Sequence, residues 1–575
     1  MAAKVRVTTN NDVAYVWWSV DEKIPGALGF SIHRVLKDGT DKALPAWVGF
    51  DKVTNGNVPT KPRTTDVWPI QSFQWKDLSA PREGKFRYKI FVVRGTPTKP
   101  VVDKKPLVTT ELVELGENFG PLRVVFNRGI ISTQALSRGS KAPAKNAALL
   151  RKAIGTANDK TRLRLTRELL PTLFELLRRA KKGGQCNAAL YELTDTELID
   201  ELIGVTSTQL VLSNANSSKT VNGKEIPVYD GTNKRVRSQL HKANYPITDR
   251  LLKGASIGHN KFVVYHDAHG PAAVLTGSTN WTPTGLCGQT NNALLIESRK
   301  VATHYHAYWA KLQSEQANAL QGAPLRDWTR ANPMQVPIPQ TGGTLKVWFS
   351  PNTVRKTKSA NEHPVDMAEV FEVIDKAKSM VLFLLFNPGT PSIVQRIKEA
   401  ETKATAAGKP LYIRGAISDA QTAKAGAVNV FSRSAKRVDT VITGVGAVMD
   451  DFGYWEKELL KLGHAAIHDK VLVVDPFSDN CVVVTGSHNL GYKASFSNDE
   501  NMVFIRGNKH IAAAYATHVL DVVNHYKWRY KLQTLKAKGE LDQAWQDLDE
   551  TDAWQDKYFT TGFLESRDSF VLNNV

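Results

Sequence analysis

Two short constellations, far apart in the chain, hold residue types suited to chemistry at phosphorus. His259-Asn-Lys261 is followed by Gly277-Ser-Thr-Asn280, and His468-Asp-Lys470 by Gly486-Ser-His-Asn489. The second set repeats the first 209 residues further on, at His, Lys, Gly, Ser and Asn alike. A single His-x-Lys carries little information. Two of them, each trailed at the same distance by Gly-Ser-x-Asn, read as one site built twice.

A diester anion needs its nonbridging oxygens held, a nucleophile in line with the leaving oxygen, and an acid opposite. Lys261 and Lys470, with Asn280 and Asn489, suit the oxygens. One imidazole can attack phosphorus while the other protonates the leaving group and then takes a proton from water as the phosphohistidine is hydrolysed. A histidine pKa near ~6.5 makes both protonation states accessible around neutrality. Ser278, Ser487 and Trp281 are expected against the substrate. No metal or other cofactor is called for, because the lysines can meet the charge a metal would neutralise. Zinc on His259, His266 and His468 fits poorly: a spacing of seven puts the first two on opposite faces of one strand, and no Cys or paired carboxylate completes a tetrahedral set.

The surrounding residues must present these groups. Each His-x-Lys precedes an apolar run, Phe262–Tyr265 or Val471–Val474, and so opens a buried strand. The next runs, Ala272–Thr276 and Val482–Thr485, deliver Ser and Asn at their ends, with a Gly that would allow backbone to approach a ligand closely. Earlier strands also come in pairs: Pro121–Gly129 reads like Thr344–Asn352, and Asn187–Leu193 like Val381–Phe386. Helical stretches at Thr161–Lys182, Thr194–Ile203 and Met367–Ser379 alternate with them, Pro171 being placed to kink the first. Strands alternating with helices predict two α/β halves, at 119–335 and 336–538, joined by the Pro-rich segment Gln321–Gly343. Residues 1–118 read as an all-β sandwich, with strands at Val5–Thr9, Val13–Val20, Gly29–Leu36, Phe73–Leu78 and Lys85–Val93. The remaining 539–575 is an acidic, Trp-containing tail: Glu540–Asp556 holds seven acids with Trp545 and Trp554, and a packed surface helix suits it better than a cover over a basic groove.

At the level of the paired motif the chain resembles the phospholipase D superfamily, whose hallmark is HxKxxxxD followed by GSxN or GSxxN in two copies. The resemblance runs from about Pro121 to Lys531. It implies two pseudo-twofold-related halves, each a mixed sheet flanked by helices, with both motifs meeting in one cleft. It also implies His259 as nucleophile and His468 as acid. The second copy has Asp475 at the motif aspartate; the first has His266 there, with Asp267 one residue late. In this family a residue further along orients a catalytic imidazole, and 32 residues beyond each histidine stand Asn291 and Glu500. One half therefore offers an amide and the other a carboxylate. The Trp17-Trp18 pair and Tyr88 loosely resemble fibronectin type III or immunoglobulin-like modules.

Composition frames the substrate. Seventy-five Lys and Arg against 56 Asp and Glu leave a formal charge of +19, which suits a polyanion. The basic stretch Asn158–Lys182 is a candidate surface for it, set against a merely solvated helix face. Trp281 and Phe452–Trp455 could rim the site, for stacking on bases or for dipping into a bilayer. No apolar run reaches the ~18–20 residues of a membrane helix, and the first residues, MAAKVRVTTNND, lack the apolar core of a secretion signal. With Cys186, Cys287 and Cys481 far apart and odd in number, a reduced, cytoplasmic setting is expected. Nuclease action on DNA or RNA is the first expectation. A phospholipase D or phosphatidyl transferase acting on phospholipid is the alternative, and a silent polyanion-binding module the third. The site requires no oligomer.

Overall fold

A computed structural model describes residues 2–50, 61–130, 147–213, 217–222, 224–228, 231–252, 256–315, 320–354, 363–418, 440–444, 467–539 and 547–560. The chain forms two compact units: Met1–Gly116 with Phe431–Val441 and Ala513–Val575, and Glu117–Val430 with Ile442–Ala512.

In the first unit, short β-branched and aromatic runs pair as two larger antiparallel sheets, beside the two-stranded pair Pro45–Ala46 and Arg63–Thr64. Ala3–Thr9, Ala14–Val20 and Gln74–Asp77 form one; Gly29–Leu36, Asp41–Ala43, Phe86–Thr96, Lys99–Val102 and Val108–Thr109 form the other. Trp18, Phe30, Phe86 and Tyr88 fill the core of this unit. Trp554 joins them, edge-on to Phe30 at 5.7 Å, with its indole N–H donating to the Ala27 carbonyl at 2.9 Å. The described part of the acidic tail therefore packs by burying an aromatic side chain, the largest apolar surface it has to offer, and forms only the short turns Asp552–Gln555 and Asp556–Phe559. Trp545 lies outside the described residues.

The second unit contains two eight-stranded sheets. In chain order the strands of the first are Asn118–Phe119, Leu122–Phe126, Gln185–Leu190, Thr208–Ser213, Ile247–Arg250, Lys261–Asp267, Gly270–Gly277 and Asn292–Ile296. Those of the second are Met334–Pro337, Thr344–Ser350, Met380–Leu385, Tyr412–Ile417, Thr440–Gly444, Val471–Val474, Val482–Gly486 and Glu500–Arg506. Counted within its half, each sheet runs one-two-eight-seven-six-three-four-five. Strands three and four pair in parallel in both, and three pairs antiparallel with six. Central strands are apolar on both faces, as a sheet covered on both sides requires; Met380–Leu385 is buried at every residue.

Two expectations about connections need correction. Gln321–Gly343 is more than a linker, since it holds the helix Ala323–Ala331 and the first strand of the second sheet, Met334–Pro337. Prolines are tolerated there because one sits at the helix start and another at the end of an edge strand. The basic helical stretch breaks at Arg167, whose φ is +50°, and not at Pro171. Pro171 falls in the first turn of Leu169–Lys182, where a missing N–H costs no intrahelical bond. Among the described residues no helix is long and apolar enough to cross a membrane.

Candidate active site

Strand six enters the site in both halves. His259 and His468 stand just before Lys261–Asp267 and Val471–Val474, with ring centroids 6.3 Å apart and planes 66° to each other. Each ring is 3% exposed.

Each imidazole is oriented from the opposite half. His259 Nδ1 lies 3.1 Å from the Ser487 carbonyl and 3.1 Å from Glu500 Oε1. His468 Nδ1 lies 3.0 Å from Asn291 Oδ1. With Nδ1–H donated to these oxygens, each ring keeps its Nε2 lone pair free. Glu500 is itself fixed, accepting from Asn498 Nδ2 at 2.8 Å and from the Asn489 backbone N–H at 3.1 Å. Asn291 is fixed by the Ser278 hydroxyl, which donates to its Oδ1 at 2.8 Å, and by its own Nδ2 donating to the Gly285 carbonyl at 2.8 Å.

A second set of cross-half bonds follows the same offset. Thr276 Oγ1 donates to Asn501 Oδ1 at 2.8 Å, and its counterpart Thr485 to Asn292 Oδ1 at 3.0 Å. Asn501 Nδ2 reaches Asn260 Oδ1 at 3.3 Å, while Asn292 Nδ2 donates to Asp469 Oδ1 at 2.7 Å. The residue inside each His-x-Lys is thus held by the other half. Sequence reasoning missed these pairs, although Thr276/Thr485 and Asn292/Asn501 are identical residues at the spacing of 209 already in hand.

The lysines turn back on the main chain. Lys261 Nζ donates to the His259 carbonyl at 2.8 Å and Lys470 Nζ to the His468 carbonyl at 2.6 Å. Tyr191 lies 5.1 Å beneath the first ammonium and 5.0 Å from the His259 ring. Phe386 does the same in the second half, 5.0 Å from Lys470 and 4.9 Å from His468. These aromatics are separated by 195 residues, not 209, so the motif offset could not reveal them. Burial pushes both imidazoles well below the ordinary histidine value, assisted by the two ammoniums. It also lowers both lysines and raises Glu500. A bound anion would reverse the shifts on the cations.

Asn280 Nδ2 donates to Glu192 Oε2 at 2.6 Å, leaving Asn280 Oδ1 buried with no hydrogen-bond partner; Asn489 Oδ1 is in the same state. Nothing in the local sequence marks Glu192, which follows strand three.

Several expected positions take other roles. Ser278 and Ser487 are fully buried, and their hydroxyl oxygens accept from the Asn292 and Asn501 backbone N–H groups at 3.0 Å each, so they brace strand eight. Gly277 and Gly486 (φ +148° and +130°) serve the same approach: a Cβ would lie 2.4 Å from the Asn292 carbonyl oxygen and 2.5 Å from that of Asn501. The close neighbour is strand eight. Trp281, expected at the rim, is 1% exposed inside the first half's apolar core, since an indole gains most by full burial. His488 is buried against Ser495 Oγ at 3.0 Å. In the basic stretch Arg162 is buried on Asp195, Arg178 pairs with Glu201, and Arg179 with Glu175 and Glu297, while Lys160, Arg164, Lys181 and Lys182 are exposed. Phe452–Trp455 lies outside the described residues.

Residues 173–313 match the family model described as cardiolipin synthase, phospholipase D-like domain. Among solved structures, the chain is similar to phosphatidylserine synthase from Haemophilus influenzae Rd KW20, at 11% identity over 67% of this chain and 94% of that one, with a TM-score of 0.42. It is similar to the phospholipase D family member Nuc from Salmonella typhimurium, at 22% identity over 31% and 91%, TM-score 0.18. It is also similar to yeast tyrosyl-DNA phosphodiesterase, at 9% identity over 57% and 84%, TM-score 0.29. No curated protein sequence matches the chain. At these identities the reaction has to rest on this chain's own residues.

Proposed function

We propose that this protein is a phosphodiester hydrolase of the phospholipase D type, acting through a covalent phosphohistidine without a metal. The observation that carries this reading is the 6.3 Å separation of the His259 and His468 rings. An in-line displacement needs reacting atoms about 3 Å apart on each side of one phosphorus, which two imidazoles so placed can provide. His259 Nε2 bonds to phosphorus as the ester P–O bond breaks, and His468 gives its proton to the leaving oxygen. Water then attacks phosphorus and yields a proton to His468, and the P–N bond breaks. Glu500 behind His259 supports the nucleophile assignment, because a carboxylate offsets the positive charge that ring gains on phosphorylation. A neutral amide behind His468 leaves its proton easier to give up.

Nucleic acid is the first substrate to test, on the charge of +19. Phospholipid is the second, favoured by the match of residues 173–313 to a model described as cardiolipin synthase. Purified protein in EDTA is incubated with single-stranded DNA, duplex DNA, RNA and mixed phospholipid vesicles, beside His259→Ala and His468→Ala. Nucleotide release by wild type alone selects the nuclease and free headgroup the lipid enzyme. No turnover of any of them leaves a binding module, and activity surviving either substitution removes the mechanism.

A further inference from the structure

Glu192 is a charged group of the candidate site that the phosphodiesterase scheme does not use. Glu192 follows Gln185–Leu190, next to Tyr191, whose ring packs on His259. Its main chain is locked, its carbonyl accepting from the Trp281 backbone N–H at 3.1 Å. Its carboxylate takes the amide N–H of Asn280, the group otherwise suited to donate to a phosphate oxygen. At the equivalent position of the second half, the residue after Phe386, stands Asn387, which is exposed.

A carboxylate beside an anion site needs a reason, because it repels what the site is meant to hold. Charge counting supplies one. Lys261 and Lys470 contribute two positive charges and one imidazolium, needed as the acid, a third, against the carboxylates of Glu192, Glu500 and the buried Asp469, all of which act on Lys470. The cluster is then neutral before an anion enters, so each negative charge the anion brings is uncompensated. A doubly charged anion therefore meets about twice the penalty of a singly charged diester in a desolvated pocket. Burial already pushes the Glu192 carboxyl above its ordinary range, while the two ammoniums pull it back.

Resting on the phosphodiesterase reading, we infer that Glu192, bonded to Asn280 beside the two buried lysines, is a specificity-determining residue that makes the site accept singly charged phosphodiesters and reject doubly charged oxyanions. It holds Asn280 in place and sets the net charge of the cleft. Glu192→Gln keeps an acceptor for Asn280 Nδ2 and removes only the charge.

Calorimetric titration of the full-length protein with dimethyl phosphate, a monoanion, and with sulfate, a dianion of similar size, tests this. Wild type is expected to bind dimethyl phosphate at least about tenfold more tightly than sulfate, the order of one neighbouring charge in a partly screened site. In Glu192→Gln both anions should bind more tightly and sulfate the more so, because its charge is double, so that the preference vanishes. Glu192→Ala serves as a second charge-removing variant should the first not fold. Equal binding of the two anions by wild type, or an unchanged preference in the variants, overturns the role of Glu192 and leaves the phosphodiesterase reading standing. Failure of wild type to bind either anion overturns both.

Discussion

The two halves of the α/β unit share strand order and motif spacing, yet differ in what stands behind each imidazole and at the far end of strand six. His259 faces a carboxylate, Glu500, whereas His468 faces an amide, Asn291. At the far end, Asp475 gathers the backbone N–H groups of Lys378, Ser379 and Met380, each at 2.8 Å, and so ties strand three to strand six. In the first half the register shifts between Tyr265 and His266. His266 then occupies the aspartate's position, buried, with its Nε2 unpartnered and its ring on His306, while Asp267 turns outward to Arg299. The bonds that hold the residue between each His and Lys, from Thr276, Thr485, Asn292 and Asn501, run between the same positions in both halves. Geometry is therefore kept symmetric while charge is not, and on the proposed mechanism that asymmetry lets two equal histidines do unequal work.

The sharpest break of this comparison is His259→Ala, expected to lower diester turnover by about 10⁴-fold or more. His468→Ala should instead still form an acid-labile histidine adduct from a p-nitrophenyl diester, whose leaving group needs no acid; labelled substrate and a quench read both. If the adduct maps to His468 in wild type, the roles of the halves are reversed. Next in size, Trp281→Ala should cost about 3–5 kcal/mol of stability and move the melting midpoint without altering any preference between nucleic acid and lipid. A selective loss of one substrate would return Trp281 to the rim.

Glu500→Gln should lower kcat by about 10–100-fold, the usual size for a group that orients a reacting side chain. Asn291→Asp should cost less and move the alkaline limb of the pH–rate profile to higher pH, because a carboxylate behind His468 makes the general acid hold its proton more tightly. Equal effects would mean that the two orienting groups are interchangeable. Smaller still, Asp475→Ala should destabilise by about 1–3 kcal/mol through its orphaned N–H groups, while Asp267→Ala leaves the melting midpoint in place. Finally, anion binding at pH 8 should take up protons. Burial holds the lysines and histidines below their ordinary values in the empty site, Lys261 at about 7, and an anion favours their charged forms. Calorimetry in buffers of different ionisation enthalpy reads the uptake, and proton release would contradict it.

Much of this was legible before any fold was known. Strands such as Gly29–Leu36 and Val471–Val474 were read at their observed bounds, because unbroken apolar and β-branched runs bounded by turn residues have few other uses. Spacing alone marks the paired histidines and lysines, and the family resemblance adds Asn291 and Glu500. The edge strand Met334–Pro337 was hidden by its proline, and Glu192 by having no repeat.

Residue identity and a constant interval determined which groups could act on phosphorus and that there are two sets of them, since chemistry resides in side chains and duplication preserves distance along the chain. Only the tertiary structure decided that Glu500 and Asn291 reach across to the opposite histidine. It alone turned Ser278, Ser487, Gly277 and Gly486 into braces for a neighbouring strand and sank Trp281 into the core. Sequence orders residues in one dimension, whereas partners and burial are set by strands that meet from distant parts of the chain.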